Sequence, residues 1–299
     1  MKNFCAKALM AVSLLGLATS CHLDDPEVTT KPGTPDVPVV ENPFKTNMLS
    51  TVRYDYSDYL TYTYNLDNEL VSIEMHPENR NDTVWAFTRD TDGKISQITK
   101  RWNYNYRYDD CTETWSQLEF NSKNALTKAT VTLNGSLSYE GYFGLYVLSE
   151  ATYKFTYDSN NHLTKIEVTG IDHAVNGYDP VNGTAFTKQA DYSWDANGDL
   201  TRATLLDGKS VIYRFTEDKN QFLQWDPTMP FVDCLQSTGL YGDAPAHYAK
   251  AIEVSDGGTI VSHNDYYYYV QGFMIQYMNN AGPYEYGNDV YQFNYVTKK

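Results

Sequence analysis

The chain has 299 residues, 38 acidic against 23 basic, and a formal charge of −15. Such an acidic protein is a poor candidate for binding nucleic acid or anionic lipid surfaces, since both repel it. Tyrosine, with 27 copies, is the unusual component.

Lys2 and Lys7 open the chain, and an apolar stretch runs from Ala8 to Ala18. Spanning a bilayer as a helix takes ~20 apolar residues, so this is the core of a signal peptide. It ends in Leu17-Ala18-Thr19-Ser20-Cys21. That run resembles a bacterial lipobox, with its leucine one place earlier than the commonest pattern. The resemblance implies cleavage before Cys21, lipidation of Cys21, and a mature charge of −17, since Lys2 and Lys7 leave with the leader. Asp24, Asp25 and Glu27 follow; acidic residues there resemble the surface-export signal of Bacteroidota lipoproteins. Residues 22–43 contain Pro26, Pro32, Pro35, Pro38 and Pro43. A proline-rich segment resists packing and extends as polyproline II, at ~3.1 Å per residue reaching ~65 Å. Residues 1–20 are therefore the leader, 21–46 a tether, and 47–299 one β domain.

Within that domain one sentence repeats. It reads Tyr62-Thr63-Tyr64-Asn65-Leu66-Asp67-Asn68-Glu69-Leu70, and recurs at 87–95, 118–126, 155–163 and 192–200, with a looser copy at 215–223. A seventh, Tyr266 to Phe273, lacks the turn acid. Alternating aromatic residues favour a strand. Asn or Asp then caps a turn, and Gly or Asn three places on takes positive φ. Leu or Ile restarts the alternation, so each copy is a hairpin. In the return strand Leu163 to Val168, alternation puts Thr164, Ile166 and Val168 on one face and Leu163, Lys165 and Glu167 on the other. The spacing between copies varies, which excludes a solenoid and predicts a meander with like tips and unlike opposite connections. Residues 134–150 and 169–186 are expected as long connections. Phe231 to Thr238, ended by Gly239, is expected as a short helix, and Lys250 to Val261 as a hairpin turning at Asp256-Gly257-Gly258.

The fold class is all-β: a single antiparallel meander of about 12–15 strands curled into a soluble barrel or half-barrel. The turns resemble the tyrosine–aspartate repeats of large bacterial toxin shells. The lipobox, proline tether, repeated hairpins and Gly272-Phe273 turn together resemble a family of Bacteroidota lipoproteins with a porin-like β-fold. That resemblance implies a curled sheet or barrel with no established activity. A transmembrane barrel is the alternative architecture; the shared face of Lys165 and Glu167, and the Lys298-Lys299 end, argue against an apolar outer band.

No catalytic signature is present: the chain has no nucleophile elbow, phosphate loop or dinucleotide loop. The Asp90-Thr91-Asp92-Gly93 and Asp195-Ala196-Asn197-Gly198 runs echo calcium loops but are too short, and no histidine pair has zinc spacing, so no metal or cofactor is expected. Ser262-His263-Asn264-Asp265 reads as a polar turn. Cys111 and Cys234 remain after processing, either as a disulfide or as two buried thiols. The aromatic stripes Trp102, Tyr104, Tyr106 and Tyr108, and Tyr266 with Tyr268, are the candidate ligand-binding residues, suited to stacking on a glycan or lining an apolar, lipid-like site. The expected function is a non-catalytic binding module of the outer membrane, on the cell surface or facing the periplasm, joined to the membrane through Cys21 only. The alternative is an accessory protein acting by protein–protein contact.

Overall fold

A computed structural model describes residues 47–297, apart from 55–56, 77–81, 105–107, 140–141, 174, 177–178, 181–182, 221–234, 271–273 and 281–285. The leader and tether lie outside the described residues. The strands are β1 (Asn47–Tyr54), β2 (Ser57–Tyr64), β3 (Leu70–Met75), β4 (Thr83–Arg89), β5 (Ile95–Tyr104), β6 (Tyr108–Phe120), β7 (Leu126–Tyr139), β8 (Tyr142–Tyr157) and β9 (Leu163–Asp172). A small ribbon, β10 (Val175–Asn176) with β11 (Asp179–Pro180), follows. Then come β12 (Thr184–Trp194), β13 (Leu200–Thr204), β14 (Ser210–Lys219), β15 (His247–Asp256), β16 (Thr259–Val270), β17 (Met274–Asn280) and β18 (Tyr286–Thr297).

All but the ribbon form one antiparallel meander, as the repeats imply. Each strand pairs with its neighbour in the chain, β9 with β12, and β1 pairs with both β2 and β18. The hydrogen-bonded order is therefore a closed ring of sixteen strands, a barrel without a free edge.

Five tips share one construction. The Oδ1 of the first residue accepts two backbone N–H bonds: Asn65 from Asp67 and Glu69, Asp90 from Asp92 and Lys94, Asn121 from Lys123 and Ala125, Asp158 from Asn160 and His162, and Asp195 from Asn197 and Asp199. The fourth residue has positive φ: Asn68 64°, Gly93 78°, Asn124 61°, Asn161 74° and Gly198 86°. A register shift accompanies each tip. This is a bulged turn, and one extra residue inverts the alternation. The bulge carries the motif's leucine inward: Leu126, Leu163 and Leu200 are fully buried. Leu163 thus joins buried Ile166 and Val168, contrary to simple alternation, while Lys165 and Glu167 stay together as expected.

In four of the five tips the residue before the turn ties the hairpin to earlier strand backbone; Phe120, before Asn121, has no polar side-chain group. Arg89 Nη2 donates to the Leu70 carbonyl at 3.4 Å, Tyr157 Oη to Leu126 at 2.6 Å, and Trp194 Nε1 to Leu163 at 2.7 Å. Tyr64 Oη donates to the Leu49 carbonyl at 2.8 Å, and burial pushes its phenol up to about 12.

The other expected elements fare unevenly. Residues 134–150 are not a long connection but the ends of two long strands, β7 and β8, because their alternation continues almost to the turn. In the looser sixth copy Asp218 lies inside β14 and its N–H donates to Thr216 Oγ1, while residues 221–223 lie outside the described residues. The last copy's turn, 271–273, lies outside the described residues. The β15–β16 hairpin turns at Gly257 (φ 54°) and Gly258 (φ 86°) as read. The helix expected over 231–238 is, in its described part, a single 3₁₀ turn, Gln236–Thr238, stopped by Gly239 at φ 81°.

Buried side chains from β1 to β9 and β12 gather in one cluster, and only the inside of a ring brings such distant strands together. A second cluster joins β13, β14 and β15. The described outer wall is mostly polar, with Ile171 and Ile212 also exposed on it. Threonine rows cross it strand to strand, Thr99–Thr114–Thr132 and Ser116–Thr130–Thr152–Thr169–Thr187, beside Lys128, Lys154 and Glu167.

Leu235, Leu240 and Tyr241 belong to the main cluster, so the segment before β15 caps the tip end of the barrel. Ser237 Oγ lies 3.0 Å from Tyr62 Oη on β2, and the Tyr241 ring is 5.0 Å from Phe155 on β8. The Leu126 N–H donates to the Leu240 carbonyl at 2.8 Å. Asn161 Nδ2 donates to Asp243 Oδ1, and Asn121 Nδ2 to Asn161 Oδ1, each at 2.8 Å. Asp199, almost fully buried, accepts the His247 backbone N–H at 2.9 Å and lies 2.8 Å from its ring Nδ1. Repeat turns therefore serve twice, as hairpin tips and as seats for the cap.

Candidate functional site on the inner wall

Polar and aromatic groups meet on the inner wall across β4, β5 and β6. Register sets Trp85 opposite Lys100, Lys100 opposite Glu113, Trp102 opposite Cys111, and Ile98 opposite Trp115. Directly opposed residues share a face. Ile98, Trp85 and Trp115 belong to the interior cluster, so this whole set faces inward. The fold positions it by alternation alone: Ile98, Lys100 and Trp102 are two apart on β5.

Lys100 Nζ lies 5.2 Å from the Trp85 ring centroid and 5.3 Å from that of Trp102, an ammonium over two indoles. Trp115 Nε1 donates to Glu113 Oε1 at 2.7 Å, and its ring meets Tyr153 at 5.0 Å. Trp85 is 4% exposed, and its Nε1 is sealed from solvent with no hydrogen-bond acceptor. Trp102, Lys100 and Glu113 are half-buried, so they remain reachable. The patch thus presents an aromatic surface, one ammonium and one carboxylate. It has no nucleophile next to a base. Burial, with the Asp110 charge as a lesser cause, pushes the Cys111 thiol up and keeps it protonated and unreactive.

Of the residues singled out from sequence, Trp102 is in this patch. The stripe it heads is not one strand: β5 ends at Tyr104 and β6 begins at Tyr108, its register partner. Tyr106, and the side chains of Tyr104 and Tyr108, lie outside the described residues. Tyr266 and Tyr268 are on β16, in register with Met278 and Gln276, and their side chains are likewise outside. Cys111 is a buried free thiol; Cys21 and Cys234 are outside the described residues. Trp85, Lys100, Glu113 and Trp115 were not read from sequence, although Trp85 alternates with Phe87 as the stripes do. What brings them to Trp102 is register, which no local pattern encodes.

The remaining polar sets are structural. The Asp90 and Asp195 carboxylates are occupied by their own turn N–H groups. His162 Nδ1 lies 3.1 Å from Asp158 Oδ2, and its ring stacks on Trp194 at 4.3 Å. Burial works to raise the Asp158 carboxyl, but hydrogen bonds from the His162 backbone and ring and the Asn160 N–H outweigh it and hold it below its usual value. Ser262 to Asp265 is strand rather than turn, with His263 Nδ1 3.7 Å from Glu253 and Nε2 3.4 Å from Asp265. Among the described residues, no group of three His, Cys, Asp or Glu is arranged to hold a metal.

No protein-family model matches the chain, and no curated protein matches it. Among solved structures it is similar to a porin-like protein from Bacteroides uniformis ATCC 8492, at 12% identity over 76% of this chain and 95% of that one, with a TM-score of 0.37. It is also similar to a porin-like protein from Bacteroides vulgatus ATCC 8482, at 9% identity over 83% of this chain and 97% of that one, with a TM-score of 0.38. The Photorhabdus luminescens Tc holotoxin pore matches 79% of this chain but 14% of its own, at 12% identity and a TM-score of 0.28.

Proposed function

We propose that this protein is an outer-membrane lipoprotein, held by lipidated Cys21 and displayed on the cell surface, whose barrel is a non-catalytic module binding a glycan on its inner wall. The observation that carries the binding reading is the half-buried Trp102 indole beside Lys100 and Glu113. Sugars are held by an aromatic face plus a few directed polar groups, whereas a lipid tail asks for a dry apolar lining. The mixed patch favours the glycan over the lipid-like ligand. Trp102→Ala should reduce binding to an immobilised glycan array by about tenfold, since stacking and area are both lost. Equal array signals from the two proteins would refute the site.

The outer wall supports attachment through lipid alone. A lipid-facing barrel needs an apolar band ~25 Å tall, and charges at mid-membrane cost ~2–4 kcal/mol each. Lys128, Lys154 and Glu167 share this wall with the threonine rows. Several acyl chains anchor stably where one does not. Cys21→Ala should therefore move the protein from the membrane pellet to the supernatant in carbonate washes; retention in the pellet would overturn the lipid anchor. No cofactor, metal or nucleic acid enters this function. The pairing of β1 with β18 leaves neither terminal strand of the barrel open to strand addition.

A further inference from the structure

We propose that the glycan is acidic, and that Lys100 is the subsite for its carboxylate or sulfate group. This rests on the binding reading above and adds the chemical class of the ligand.

The Lys100 ammonium faces inward in a chain of net charge −15, yet among the described residues no carboxylate lies within ion-pair distance of it. It stands over two indole faces. Cation–π contact compensates only part of the hydration that a half-buried ammonium loses, so the charge remains available to an anion. The two sides of Lys100 differ. Toward β6 stands Glu113, already accepting the Trp115 N–H. Toward β4 stands Trp85, whose sealed Nε1–H has no acceptor. An anionic oxygen on the β4 side gains the ammonium and avoids the Glu113 charge. Sugar hydroxyls fit the β6 side, donating to the carboxylate oxygen that Trp115 leaves free.

A second inner-wall cation repeats the arrangement. Lys188 on β12 is in register with buried Val168, so it faces inward, and its Nζ lies 5.6 Å from the Phe186 centroid. Lys188 is exposed, so this part of the wall is open to solvent. Five strand steps separate it from Lys100, ~24 Å across the strands at ~4.8 Å per step, with a further offset along them because the Lys100 row reaches β12 at Thr184. That span suits an extended oligosaccharide with acid groups on several units, and exceeds a single sugar.

An acid head group could sit on a sugar or on an acyl chain. The test therefore uses the full-length lipoprotein in detergent, a glycan array holding uronic-acid, sulfated and neutral oligosaccharides of matched length, and laurate as the acyl probe. The expected result is binding of the acidic members at least tenfold above their neutral counterparts, weakened by added salt, with laurate not bound. Lys100→Met keeps the aliphatic stem and should bring the ratio of acidic to neutral binding down to about one; Lys100→Arg should restore it. Equal affinity for acidic and neutral members overturns the acidic class and spares the binding reading. Silence across the whole array overturns both. Binding of laurate in place of sugars overturns the glycan and leaves only an anion site. Unchanged thermal unfolding of Lys100→Met separates a lost subsite from a lost fold.

Discussion

Gly242→Ala is expected to destabilise the barrel by about 3 kcal/mol or more, the sum of two separate penalties. Gly242 has φ 83°, where a side chain is strained. A Cβ there would also stand 2.2 Å from the Asn161 carbonyl oxygen and 2.8 Å from the Tyr157 ring. Neither can yield cheaply. Asn161 is the αL residue of its tip and bonds Asp243, and Tyr157 is tied to the Leu126 carbonyl. The His162–Gly242 bridge must open, and the cap lifts from the β8–β9 tip. In a domain of this size the melting temperature should fall by roughly 6–12 °C. Gly208→Ala is the control: its φ is 86°, but nothing lies within 4 Å of the new Cβ. That variant should lose only about 1 kcal/mol. Equal melting temperatures for the two variants would show that the close approach at Gly242 carries no weight.

Phe155→Ala should cost about 3–5 kcal/mol, the usual range for deleting a buried aromatic ring. Phe155 is 5% exposed on β8, opposite Ile166, and its ring stands 5.0 Å from Tyr241 of the cap. Truncation leaves a cavity at the point where wall and cap meet, and the backbone of a closed ring cannot collapse into it. Phe155→Leu keeps most of the volume and should lose less than about 1.5 kcal/mol. Combined with Tyr241→Ala, Phe155→Ala should destabilise by less than the two single effects together, since both delete one ring contact. Denaturant unfolding of the four proteins measures this directly. Strict additivity would mean that cap and wall are energetically independent.

Much of the architecture was legible because it is written locally. Asn65, Asp90, Asn121, Asp158 and Asp195 bond backbone within four residues, so the turns appear in sequence as fixed spacing. The Asp207-Gly208 turn between β13 and β14 has the same local logic, but β13, with five residues, is too short to show alternation. The glycines and tyrosines of 134–150 resemble loop composition, yet β7 and β8 continue through them because the two strands pair with each other as far as Tyr139 and Tyr142. Trp102 stood out by its aromatic neighbours. Lys100 and Glu113 did not, because a lone lysine and a lone glutamate on half-polar strands look like solvated surface.

The amino-acid sequence by itself determined the hairpin tips and the antiparallel meander, which rest on contacts between residues close in the chain. Only the tertiary structure decided which face of each strand is inside, since one bulge residue inverts the alternation at every tip. It also decided the rest. Ring closure pairs Asn47 with Thr297, the cap joins Tyr62 to Ser237, and register sets Lys100 between Trp85 and Glu113. Each is a relation between strands, fixed by the burial of a shared interior and carried by no single segment.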